Sequence, residues 1–305
     1  MNFSINKSFR LLNMYERLNK GEIIQKSKLA EEFSVSKKTV ERDIEELRIY
    51  ISEVHYTEHE ATIKYSREKR GYYLVLFQRE WITNEEVLAL CKIILESRAF
   101  CKDEMNKIIN KLIAQVVPSS RKKIEQMIRN EQYYYVPLKH EKPLFSILWE
   151  LTQAITESRI IEFNYKRQDD SYKVHFVKPV AVMFSEYYFY LIAYKNNENN
   201  DYPIIFRVDR IDNLRNTTNH FTIPYKDKFN EGEFRKRIQF MYSGELKRVT
   251  FDFNGPSLEA VLDRIPTAKV ISKDGDVYKI SAEVYGDGIQ MWIRSQGEWV
   301  NNVNI

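Results

Sequence analysis

The chain has 305 residues, with 47 Lys and Arg against 43 Asp and Glu and a formal net charge of +4. Nine glycines and eight prolines are too few for a disordered or low-complexity chain, and a length of this order divides into about two to three domains. No run approaches the roughly 18 apolar residues of a membrane span, no secretory signal is visible, and the mild basicity permits nucleic-acid binding without demanding it, so the placement of charge has to decide.

Residues 8–18 set Phe9, Leu11, Leu12, Tyr15 and Leu18 at helical spacing, and Gly21 ends that helix. A second short helix follows from about Ser27, with Leu29, Ala30 and Phe33 facing inward. After Ser34-Val35-Ser36, a third runs from Lys37 to about Ile49 with Val40, Ile44 and Leu47 on one face. Thr62 to Tyr65 and Tyr72 to Leu76 read as two strands, joined by the charged loop Ser66 to Gly71. Residues 82–135 read as helical. Val87, Leu88, Cys91, Ile94 and Leu95 form one stripe, Ile108, Ile109, Leu112, Ile113 and Val116 another, and Pro118 breaks the run. Such a segment suits a spacer or a dimerisation element.

A further helix is expected from about Pro143 to Glu157, after which the apolar period changes to two. Residues 160–165, 174–177, 189–194 and 204–208 read as strands of a small barrel. From about Arg248 the chain reads as a strand (249–253), a helix (257–264) and strands near 268–271 and 277–284, a small α+β domain. The twenty Tyr and seventeen Phe agree with this β content. Cys91 and Cys101 have neither zinc nor redox-pair spacing and read as ordinary thiols in a reducing cytoplasm.

The strongest local signal lies between Lys28 and Ile44. Ala30 is small where two helices of a helix-turn-helix touch, Val35 fills the wedge between them, and Ser36 is a good N-cap that starts the next helix sharply. The free N–H groups of that start favour phosphate. Lys38 and Arg42 share one face, opposite Val40, Ile44 and Leu47, so one face can enter a major groove while the other packs. Glu45, Glu46 and Glu53 repel phosphate and restrict contact to the first turns. Ser36, Lys37, Thr39 and Arg42 are expected to hold the DNA backbone, Lys38 to reach base edges, and Lys69 and Arg70 at the hairpin tip to meet a phosphate or the minor groove. The bland alternative is that Lys37, Lys38 and Arg42 only solvate an exposed face.

This segment resembles the winged helix-turn-helix of DeoR-like regulators, in the pattern L-A-x-x-F-x-V-S-x-x-T-V-x-R-D-I. Phe189-Tyr190-Leu191-Ile192-Ala193-Tyr194 resembles the strand that names WYL domains, and Phe206-Arg207-Val208-Asp209-Arg210-Ile211 resembles the family's F-R-x-D-R-I motif. The C-terminal part, including Met291 to Gly297, is similar to the WCX extension. The resemblance implies an α+β multidomain chain. Its parts are a winged helix-turn-helix (1–78), a helical linker or dimerisation segment (79–140), an SH3- or Sm-like WYL barrel (141–228) and a ferredoxin-like WCX domain (229–305). It further implies a homodimeric, cytoplasmic, nucleoid-associated transcription factor, in a family with members in DNA-damage or phage-defence circuits. The partners are an operator in double-stranded DNA and a nucleotide or short single-stranded nucleic acid held by the barrel. Phe189 departs from the family's tryptophan, and His175 stands where Arg is frequent, which opens ligand binding to pH.

Tyr165, Arg167, His175, Tyr190, Arg207 and Arg210 come from adjoining barrel strands and suit an anionic effector, since aromatic faces stack on bases and guanidinium groups fork onto phosphate. The alternative is that Tyr190 and Phe206 are core aromatics and that Arg207 and Arg210 pair with Asp209 or Asp212. His55 and His59 lack a third ligand and read as surface residues, and Asp169-Asp170 reads as a turn. No catalytic constellation, metal site or cofactor motif is expected. The sequence therefore points to a regulator, with a repressor as the favoured mode. The competing class is an accessory single-stranded nucleic-acid-binding protein without promoter specificity.

Overall fold

The computed structural model describes residues 6–19, 21–54, 61–76, 82–116, 118–167, 169–196, 202–222 and 228–305. His55 and His59 lie outside them. Two compact units form, Met1–Glu96 with Met105–Tyr135, and Ser97–Glu104 with Val136–Ile305. Among the described residues no helix is long and apolar enough to cross a membrane.

The first unit begins with helices α1 (Lys7–Asn19), α2 (Lys26–Glu32) and α3 (Lys37–Val54), then the antiparallel hairpin β1 (Ala61–Ser66) and β2 (Gly71–Leu76). Met14, Leu18, Leu29, Phe33, Val40, Ile44 and Ile63 close one core beneath them. Ile24, just ahead of α2, exchanges two backbone hydrogen bonds of 2.8 Å with Tyr72 and adds a single bridge on the other edge of β2. Gly71 makes this approach possible: a Cβ there would lie 2.5 Å from the Ile23 side chain and 2.9 Å from the Ile24 carbonyl oxygen. A winged helix-turn-helix results.

Helices α4 (Asn84–Ser97), α5 (Lys102–Gln115) and α6 (Pro118–Tyr133) follow. The sequence gives the break at Pro118 but hides the one after α4. There Arg98 takes φ 54°, the left-handed conformation that ends a helix. Glycine or asparagine normally announces such an end, and an arginine gives no sign of it. Cys91 is buried and Cys101 half-buried, both as free thiols, and burial raises the Cys91 pKa.

In the second unit α7 (Phe145–Thr156) precedes five strands: β3 (Arg159–Lys166), β4 (Tyr172–Ser185), β5 (Tyr188–Lys195), β6 (Ile204–Arg207) and β7 (Ile211–His220). All pair antiparallel, in the order β6-β5-β4-β3-β7. The opposite edges β6 and β7 are joined only by the 3-10 turn Val208–Arg210. Edges of a flat five-stranded sheet stand about 19 Å apart, whereas a 3-10 turn advances about 2 Å per residue. The sheet has to curl into a barrel, and Leu151, Phe163, Val177, Leu191, Phe206 and Ile211 fill it. Strand β4 extends well past the expected 174–177, because the ladder accommodates Pro179 with a register shift between Pro179 and Ala181. Strand β7 escapes periodicity analysis because only its first residue is buried.

The chain continues through α8 (Glu231–Arg237), β8 (Leu246–Phe253), α9 (Leu258–Arg264), β9 (Lys269–Asp274), β10 (Val277–Tyr285), α10 (Gly288–Ser295) and β11 (Val300–Asn304). The order β11-β8-β10-β9 with βαββαβ connectivity is the ferredoxin-like arrangement. Phe251, Val284, Ile289 and Trp292 form its core. Phe234 and Ile238 of α8 pack on Met183 and Ile192, on the outer face of the barrel.

Candidate sites on the recognition helix and in the barrel

Ser36 starts α3. Its Oγ accepts the Thr39 N–H at 3.0 Å and lies 2.9 Å from Thr39 Oγ1, so Ser36 and Thr39 are tied together at the helix tip. Val40, Ile44 and Leu47 are buried, which leaves Lys37, Lys38 and Arg42 exposed on the other side. The acidic residues of the same surface are each engaged by a base. Lys26 pairs with Glu41, Arg48 with Glu45, and Lys7 Nζ with Glu46 at 2.6 Å. Among the described residues no acid pairs with Lys37, Lys38 or Arg42, so the tip keeps its positive charge. Lys69 and Arg70 are exposed in the β1–β2 turn, where Arg70 takes φ 48° and the Lys69 N–H donates to Ser66 Oγ at 3.2 Å.

Sequence reasoning missed the pair that seats this helix. Arg10 of α1 donates through Nη2 to Asp43 Oδ1 at 3.1 Å and through Nε to Oδ2, with Arg10 and Asp43 exposed to 5% and 1%. Asp43 directly follows Arg42, so fixing one fixes the position of the other.

The barrel divides the expected effector residues into two groups. Tyr165 and His175 gather around Phe163 and Phe206. The imidazole stacks on Phe163 at 5.7 Å and meets the Phe206 ring edge-on at 4.9 Å, and the rings of Tyr165 and His175 are 6.0 Å apart. Burial lowers the His175 pKa first, and the charges of Lys173, Arg167 and Lys195 lower it further. Lys173 and Lys195 are thus further cations near the imidazole that the sequence did not single out. Arg167 is exposed in the β3–β4 turn, where its backbone N–H donates to the Ser171 carbonyl at 2.8 Å.

Tyr190 and Arg207 are register partners on the other face of β5 and β6. Arg207 forks onto Asp209 at 3.0 and 2.7 Å and stacks over Tyr188, its guanidinium carbon 3.5 Å from the ring centre. This is the internal ion pair that the sequence left open as an alternative. Tyr190 packs at the margin of the apolar cluster shared with α8, and burial raises its pKa. The two groups touch through β6, where the Arg207 N–H donates to Tyr165 Oη at 3.2 Å. Arg210 is half-buried, and among the described residues no acid pairs with it. Asp212 is taken by Lys142 Nζ at 2.6 Å.

A family model described as an HTH domain matches residues 10–73, and one described as a WYL domain matches residues 146–216. The chain carries the HTH domain and the WYL domain of a DNA-binding transcriptional regulator. Among solved structures, the regulator is similar to proteasome accessory factor B/C of Arthrobacter aurescens, at 16% identity over 95% of this chain and 43% of that one, with a TM-score of 0.31. It is also similar to a CRISPR Cas-related protein, at 11% identity over 88% of this chain and 68% of that one, with a TM-score of 0.34. The regulator spans under half the length of the first of these. No curated protein matches it.

Proposed function

We propose that the regulator binds an operator in duplex DNA through Ser36, Lys37, Lys38, Thr39 and Arg42, with Lys69 and Arg70 of the wing on a neighbouring phosphate. The observation that carries this reading is the charge state of the α3 tip. Glu41, Glu45 and Glu46 are each matched by a base, while Lys37, Lys38 and Arg42 are exposed and, among the described residues, pair with no acid. The regulator acts as a homodimeric repressor in this reading, one helix per half-site. The test is a gel shift with the DNA upstream of its own gene, run against competitor duplex at moderate salt. Sequence-independent binding there would refute the operator reading.

The barrel mouth is proposed to receive the effector, a nucleotide or short single-stranded nucleic acid. Tyr165 and His175 offer ring faces and edges to a base, and Arg167 and Lys173 offer charge to phosphate. Tyr190 and Arg207 act from the second group, where a phosphate has to compete with Asp209 for the guanidinium; Arg210 has no such competitor among the described residues. Oligonucleotide titration of the full chain, with Tyr165→Ala and His175→Ala as controls, tests this. Binding that is unchanged in both variants would remove the mouth from consideration.

A further inference from the structure

The ferredoxin-like domain carries a cavity that the operator and effector readings leave unused. It lies between α9 and α10, has a volume of about 380 Å³, and is floored by Phe253 and Val261. That volume falls within the roughly 300–1,000 Å³ of small-molecule pockets. Helix α9 and its N-cap set Ser257, Ala260 and Arg264 along one face, and α10 and its C-cap set Trp292 and Gln296 one turn apart.

Two features mark the cleft as more than a packing gap. Trp299 forms one wall yet is 49% exposed, an unusual placement for the largest apolar side chain. Gly255 keeps the wall in place, since a Cβ there would lie 2.5 Å from the Phe253 ring and 3.1 Å from the Trp299 indole. The second feature is Arg264. Its Nη1 holds Glu186 at 2.9 Å and its guanidinium lies over Phe240 at 4.8 Å, so the group is fixed in place. Its Nε–H is buried and donates to no acceptor among the described residues. A buried donor left unmatched is costly, and an acceptor supplied from outside relieves that cost.

We propose that this cleft is a small-molecule site for a planar aromatic anion, with the ring against the Trp292 and Trp299 indoles and the anionic group on Arg264. The residues impose both halves of that description. Indole faces favour a flat ring over an aliphatic chain, and a fixed guanidinium favours a carboxylate or phosphate over a neutral acceptor. Glu186 belongs to the β4–β5 turn of the barrel, so an anion on Arg264 competes with that contact and reaches the barrel directly.

The test is calorimetric titration of the full chain with indole-3-acetate, salicylate and adenosine monophosphate, and with neutral indole as the uncharged comparison. At least one anion should bind saturably, with one site per chain, and more tightly than indole. Ala260→Leu fills the cleft from an exposed helix position and leaves the fold intact, and Arg264→Gln removes the charge. Each should weaken binding by about 10-fold or more, while Tyr165→Ala in the barrel should leave it unchanged. The absence of saturable binding by all three anions would overturn the proposal. So would binding that survives Ala260→Leu, or binding that Tyr165→Ala abolishes.

Discussion

Arg10 of α1 and Asp43 of α3 form a two-point ion pair that is almost wholly removed from water. Its hydrogen bond to Asp43 raises the Arg10 pKa against the opposing effect of burial. A pair of this kind holds position more than it adds stability, because desolvation offsets most of the attraction. Losing one member is different, since the other is left charged and unmatched. Asp43→Ala should destabilise the helix-turn-helix by about 3–5 kcal/mol, whereas Arg10→Met with Asp43→Leu should cost far less. Urea unfolding of the three proteins checks this, and equal losses would contradict it.

Lys38 and Lys69 should fail in different ways when replaced by alanine. Lys38→Ala should cost about 1–3 kcal/mol at one base position and relax preference there. Lys69→Ala should weaken all sequences alike and reduce the slope of log K against log salt by about one. Binding isotherms over a salt series, on specific and scrambled duplexes, separate the two.

His175 lies below its ordinary pKa of 6.5 through burial and the charges of Lys173, Arg167 and Lys195, and His140 is also lowered, first by burial. The unfolded chain therefore takes up protons at a pH where the folded chain does not. Stability should be complete above about pH 6.5 and fall as pH drops through that value toward the lowered folded pKa. An anion at the mouth favours the imidazolium, so effector affinity should rise over the same interval. His175→Gln should flatten the affinity profile, and a pH series of melting and titration reads both.

Glu104 is 5% exposed, and its two carboxylate oxygens accept the backbone N–H groups of Leu144 and Phe145 at 2.8–2.9 Å, at the start of α7. Glu104→Ala leaves those donors unmatched beside the barrel core. A loss of about 1–3 kcal/mol is expected, with Glu104→Gln intermediate because one oxygen remains, and thermal unfolding distinguishes them.

What the sequence revealed follows from the range of each interaction. Ser36 and the Val40, Ile44, Leu47 face are local patterns, so the cap and the buried side of α3 could be read in advance. Asp43 carries no local sign of its role, because its partner is 33 residues away. In the barrel, alternation gave β3 and β5, but β7 is polar along most of its length and becomes a strand only by pairing with β3. The division of Tyr165 and His175 from Tyr190 and Arg207 follows from alternation along β6, which turns Phe206 and Arg207 to opposite faces. Arg207's commitment to Asp209 remained one of two readings until the 3-10 turn placed them together.

That turn also sets the order in which the barrel can assemble. The ladders joining β3 to β4, β4 to β5 and β5 to β6 each link strands that follow one another in the chain, whereas β7 has to return to β3, with Ile161 opposite Asn216. Closing the longest loop comes at the greatest entropic cost. A chain interrupted after Arg210 would hold a meander with Ile161 and Phe163 uncovered along one side. During synthesis, the barrel should stay protease-sensitive until the strand beginning at Ile211 has emerged.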